Sequence, residues 1–157
     1  MRFIVDKKFD RYTWKHYLLQ SVLAAVSLYA ALMVPIIDEP ILIAAIGSTS
    51  FIVFAMPESE TSRPRNVLGG HLACGLLGLL FYNLHSSFIP ISATIPLAVG
   101  AAIFVMVVLD IEHPPAGGTV IFLVLNPILP ALVALLLLSS IICTIAIVLD
   151  PYMIDLV

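Results

Sequence analysis

Asp110-Ile111-Glu112-His113-Pro114-Pro115-Ala116-Gly117-Gly118-Thr119 is a short polar break between stretches of near-pure hydrocarbon. Backbone at membrane depth needs hydrogen-bond partners, so irregular structure survives there only inside protein or beside a water-filled cavity. A break that concentrates acids, a histidine, prolines and glycines therefore reads as a site rather than a connector.

The residues around it set the membrane context. Of 157 residues, 61% are hydrophobic and 11% charged, and the mean hydropathy is +1.12. Soluble domains carry about 25% charged residues, so this chain cannot cover a water-facing surface of ordinary polarity. Six apolar segments can be drawn, at 17–37, 41–56, 67–84, 91–109, 116–125 and 128–149. A spanning helix needs about 20 residues. The first, fourth and sixth segments reach that length and the third is close. The second is short and interrupted by Gly47-Ser48-Thr49-Ser50, and the fifth is too short to span alone. The expected fold is a single all-α integral membrane domain over 1–157. It has about four full transmembrane helices plus two short or broken segments, behind a basic tail at 1–16.

Charge placement orients these segments. Five of the seven basic residues lie in the first fifteen positions, and the others are Arg63 and Arg65. Lys and Arg favour cytoplasmic loops, so the tail and the 63–65 loop should share the inner side. Segment 41–56 must then cross, which places 85–90 outside and 110–114 inside. If 116–125 crosses too, the C-terminus returns inside. Tyr12, Trp14 and Tyr17 suit an interfacial belt at the first boundary. The apolar run after the basic tail is long and shows no small-residue cleavage site, so it reads as a membrane helix rather than a signal peptide. Asp6 and Asp10 argue against a transit peptide and favour a prokaryotic inner membrane or a processed mature form, with the N-terminus cytoplasmic. No basic face suited to nucleic acid is present. Cys74 and Cys143 sit in apolar runs and read as small buried residues.

Gly47-Ser48-Thr49 followed by an apolar stretch and Pro57 matches Gly117-Gly118-Thr119 followed by an apolar stretch and Pro127. Each small-residue break follows acids at the end of a long helix, Asp38/Glu39 and Asp110/Glu112. With three segments per unit, 17–84 and 91–149 form a candidate 3+3 inverted repeat, an arrangement that places transporter sites at the repeat interface.

The chemistry of the breaks points to anions. The first N–H groups of a helix lack internal partners, and the macrodipole makes that end partly positive. Helices starting at residues 47–50 and 117–119 would aim two such ends inward, with Gly47, Gly117 and Gly118 allowing close approach. Ser48, Thr49, Ser50 and Thr119 would add hydroxyls. Small residues that let membrane helices pack closely are the other explanation. Pro114 forces His113 out of helical backbone, and its neighbours Glu112 and Asp110 could poise its charge for a gating or proton-linked role. His71, after Gly69-Gly70 on a helix that must be largely buried, could face the same centre. Arg63 and Arg65 could draw anions to the mouth, pair with Glu58 and Glu60, or only set topology.

The set Gly47-Ser48-Thr49-Ser50-Phe51 with Phe54-Ala55-Met56-Pro57, Arg63-Pro64-Arg65-Asn66-Val67-Leu68-Gly69-Gly70-His71, and His113-Pro114-Pro115-Ala116-Gly117 resembles the HPP family of small integral membrane proteins over roughly 18–149. That family is described with four membrane helices, and its plant members are associated with nitrite transport into chloroplasts. The resemblance implies a channel or transporter for a small inorganic anion, nitrite favoured. Glu112, Pro114, Pro115, Arg63, Arg65 and Asn66 would then form the loop or gate, without metal or cofactor. No enzymatic constellation is visible. Thin shielding of broken helices by so short a chain implies a homo-oligomer, a dimer or a trimer. The rival classes are a non-transporting membrane scaffold or sensor subunit, and a proton or cation pathway along Asp110, Glu112 and His113.

Overall fold

A computed structural model of the chain describes residues 8–87 and 89–157, so the first seven residues of the basic tail lie outside the described residues. Six helices follow one another: α1 (Trp14–Leu32), α2 (Pro40–Ala55), α3 (Pro64–Ser87), α4 (Ile91–Val108), α5 (Ala116–Leu125) and α6 (Leu129–Leu149). Single 3₁₀ turns lie at Pro35–Ile37, Glu60–Ser62 and Asp150–Tyr152. No strand occurs among the described residues. Prolines mark the starts. α2 and α3 begin on Pro40 and Pro64, where a missing N–H costs nothing and φ is already helical.

α3, α4 and α6 are long and apolar enough to cross a bilayer. α1 has 19 residues but carries Lys15, His16 and Gln20, so its hydropathy falls below theirs. α2 is one unbroken 16-residue helix. Residues 47–50 neither start nor interrupt it, which corrects the expected break. Nothing before Gly47 stops the helix, because Pro40 is at its first position and the residues between are good apolar helix formers. α5 matches its expected limits and, at ten residues, covers about 15 Å, half of a bilayer core of about 30 Å.

The helices alternate in direction. Arg65 reaches Asp110 and Leu109, which brings the end of α4 to the start of α3. The Leu156 amide donates to the Ala55 carbonyl at 2.9 Å, and His16 Nδ1 meets the Tyr152 carbonyl at 2.8 Å. The start of α1, the ends of α2, α4 and α6, and the start of α3 therefore share one end of the bundle. Every described Lys and Arg lies there. Asp38 and Glu39 lie in the connection at the other end.

Burial gains little between membrane helices, because lipid is as apolar as leucine, so close packing and interhelical hydrogen bonds must hold them. α5 sits centrally against α2, α3 and α4. Its approach to α3 is so tight that a Cβ on Gly78 would lie 2.7 Å from the Leu123 Cβ and 2.9 Å from the Val120 carbonyl. Phe54, Phe122, Ile46 and Leu135 fill one core cluster, and Ala98, Ala102, Cys74 and Val120 fill another. Cys74 and Cys143 are both free and buried, as expected. α1 stands at the edge on α2. The buried amide of Gln20 fastens it by donating to the carbonyls of Phe54 and Ile154 and accepting from the Ile154 amide.

Candidate functional site

The break begins where α4 ends. Asp110 is left-handed, with φ 55°. The Ile111 amide donates to the Met106 carbonyl at 2.9 Å and the Asp110 amide to the Val107 carbonyl at 3.3 Å. This is the paired closure that usually takes glycine at the left-handed position. Here Arg65 holds the turn, with Nη1 2.9 Å from the Asp110 carboxylate and Nη2 2.8 Å from the Leu109 carbonyl. Ile111 then packs on Gly69. A Cβ on Gly70 would lie 2.8 Å from the His113 Cβ, so glycine is what lets the loop lie on α3. The Asn66 amide donates to the Glu112 carbonyl at 3.3 Å.

This fold-back carries His113 inward. Its Nδ1 lies 2.8 Å from the Thr61 carbonyl, and its Nε2 lies 3.0 Å from Thr49 Oγ1. The same hydroxyl is 3.0 Å from His71 Nε2, and His71 Nδ1 is 2.8 Å from Thr119 Oγ1. The imidazole centroids are 5.0 Å apart at 65°. His71, His113, Thr49 and Thr119 have no exposed surface. Seven residues beyond Pro64 puts His71 about 10 Å along α3.

One carbonyl assigns every proton in this chain. Thr61 can only accept, so His113 Nδ1 bears hydrogen and, with the ring neutral, Nε2 is bare. Thr49 must then donate to His113 and accept from His71 Nε2–H. That leaves His71 Nδ1 to accept from Thr119. The two imidazoles thus hold opposite tautomers, an assignment that follows from the hydrogen-bond pattern.

The structure brings His71, His113, Thr49 and Thr119 together, including the two threonines that align between the matched segments. It separates the others. Ser48 is exposed, and its hydroxyl returns to the Ala44 carbonyl at 2.6 Å. Gly47 faces Leu28 on α1, and Gly118 lies against Ala45 with 3.1 Å between its would-be Cβ and the alanine's. Ser50 is buried next to Thr49, and its hydroxyl has no hydrogen-bond partner, as is true of Ser139 on α6. The expected pair of free helix ends is absent. Residues 47–50 lie inside α2, and the amides of Ala116, Gly117 and Gly118 donate to the carbonyls of His113, Pro114 and Pro115 at 2.9–3.0 Å. Arg63 pairs with Glu60 at 3.3 Å, while Arg65 pairs with Asp110 rather than with Glu58 or Glu60. Sequence reasoning missed Thr61, which acts through its backbone and so leaves no side-chain signal. It missed Gln20 too, whose polarity inside an apolar run was the available clue. Among the described residues no three His, Cys, Asp or Glu side chains converge to hold a metal.

The break is thinly covered. A groove of about 360 Å³ runs beside Ala102, Met106, Glu112, His113 and Gly117. Another of about 440 Å³ lies between Pro40, Ile41 and Ser48 and the prolines. A Cβ on Gly117 would meet nothing within 4 Å.

The family described as HPP, transmembrane region, matches residues 9–153, nearly the whole chain. The chain belongs to the HPP transmembrane family. It is also 27% identical over 92 residues to a transmembrane protein of Dictyostelium discoideum; the match takes in 55% of this chain and 30% of that protein. The chain thus spans less than a third of the relative's length. No solved structure matches. Within this HPP chain, His113-Pro114-Pro115 has a physical division of labour. The prolines bring α5 to a start inside the bundle, and the histidine ties that start to α2 and the Thr61 turn.

Proposed function

We propose that this HPP protein passes a small inorganic anion across the membrane, with nitrite favoured on the family resemblance. The observation that carries the proposal is the buried imidazole pair bridged by Thr49, set where the backbone is broken and where one groove runs beside His113. Polar groups at this depth are expensive, and ionisable ones there mark ion or proton paths more often than they mark plain packing. Hydroxyl and imidazole N–H groups suit the oxygens of a small oxyanion, which would have to exchange with the partners these groups hold within the cluster. The helix macrodipoles contribute less than the sequence reading gave them, because the amides at the start of α5 already have partners.

Two further features belong to the same proposal. The basic end of the bundle is the cytoplasmic end. The grooves flanking Pro114 and Gly117 are covered by further copies of the chain, because irregular backbone at membrane depth needs protein or water around it. A cation path is less well supported, since Asp110 is paired with Arg65 and cannot join Glu112 in an acidic ring.

Vesicles reconstituted with the protein test the reading. Nitrite and nitrate should equilibrate at least tenfold faster than in protein-free vesicles. Intact, assembled protein that passes neither ion would leave the scaffold reading standing.

A further inference from the structure

All seven Lys and Arg residues fall at positions 2–15, 63 and 65, and those described lie at one end of the bundle. Among the described residues, an anion that has moved past Arg65 therefore meets no permanent positive charge. Among the described residues, the only groups that can become cationic at the depth of the break are His71 and His113. An unpaired charge in a low-dielectric setting is strongly disfavoured. The anion needs a countercharge, and this pair is the available source.

We infer that the His71–Thr49–His113 cluster takes up a proton with each anion, so that the two cross together as a neutral pair. This inference rests on the anion reading above. The hydrogen-bond geometry allows the step. A proton from hydronium at the aqueous face adds to His71 Nδ1, forming one N–H bond. The Thr119 hydroxyl that had donated to that nitrogen turns and accepts from it. Addition at His113 Nε2 does the same with Thr49. Neither ring loses a partner, because a hydroxyl can donate or accept. Release of the same proton to water on the far side restores the neutral ring. One proton and one monovalent anion have then moved, and the net charge transferred is zero.

The surroundings contain little that competes for this role. The pair faces Thr49 of α2, Thr119 of α5, the Thr61 carbonyl and Met106 of α4. Cys74 lies one turn along α3 and is in sulfur contact with Met106 at 3.8 Å. Of the charged groups, Glu112 is next to His113 in the chain. Arg65 and Asp110 offset each other at the mouth.

Vesicles with a potassium gradient and valinomycin, loaded with nitrite or with nitrate, decide the matter. Nitrate is included because its acid is too strong to carry protons through lipid unaided. Protein-dependent flux that is unchanged between clamped inside-positive and inside-negative potentials supports coupled movement. Efflux that rises tenfold with an inside-negative potential shows the anion crossing alone and overturns the inference while leaving the anion reading intact. Absence of any flux overturns both. Titration calorimetry of the solubilised wild type in buffers of different ionisation enthalpy gives a second readout: uptake of about one proton per nitrite bound. Binding without proton uptake contradicts the inference. The double variant His71→Gln with His113→Gln, which can hydrogen-bond but carry no charge at either ring, should abolish the uptake.

Discussion

The middle of α2 and the start of α5 carry the same pattern of small residues before an apolar run, yet they meet different local rules. Ahead of Gly47 stand Ala44, Ala45 and Ile46, which continue a helix, so the small residues become a packing surface and a place for Thr49 to point inward. Ahead of Gly117 stand Pro114 and Pro115, which have no N–H to donate, and the chain can only start a helix there. Composition alone does not decide whether a glycine-rich stretch is a break. The residues one turn before it do. Both segments still end with a threonine on the same imidazole, Thr49 at its Nε2 and Thr119 at its Nδ1.

The threonines give the largest expected contrast. Thr49→Val keeps the shape but removes the shared hydroxyl and leaves nitrogens of both imidazoles unpaired, at a cost of about 2 kcal/mol. Thr119→Val removes a single bond and should cost about 1 kcal/mol. Unfolding of the solubilised protein in denaturant measures both. Equal losses would mean that Thr49 does not bridge.

The glycines should diverge next. Gly118→Val drives a side chain into Ala45 and should destabilise by about 1–3 kcal/mol, shifting the melting midpoint down. Gly47→Ala meets only the Leu28 methyls at 3.8 and 3.9 Å. Because it sits inside a continuous helix, it should be neutral or stabilising by up to about 1 kcal/mol. A large loss at Gly47 would restore the idea of a break in α2.

The smallest effect belongs to the outer clasp. Arg65→Ala removes an exposed pair and should cost less than about 1 kcal/mol, and that loss should shrink as salt is added. A loss of several kcal/mol would place Arg65 in the buried network rather than at its mouth.

Much of this architecture is legible in the sequence because hydropathy and proline placement act locally. The limits of α5 follow from Pro114, Pro115 and Pro127, and the end of α6 follows from Asp150-Pro151. That the described part of the basic tail and the Arg63/Arg65 loop share one end of the bundle follows from where the basic residues stand. His71 could be nominated from the glycines beside it. Thr49 and His113 could be nominated too, but not the hydrogen bond that joins them, because their meeting depends on how far the chain folds back after α4, and that is set by a left-handed Asp110 held from another helix. Sequence pattern also overstated the helix ends. Whether an amide is free depends on three-residue turns such as the one from His113 to Ala116, which composition does not reveal.

Nitrogen-15 spectra of histidine-labelled protein in lipid, recorded where both rings are neutral, test the organising role of Thr49 most directly. The account predicts opposite tautomers, with hydrogen on Nε2 of His71 and on Nδ1 of His113, and loss of that distinction in Thr49→Val. The same tautomer on both rings in the wild type would contradict it.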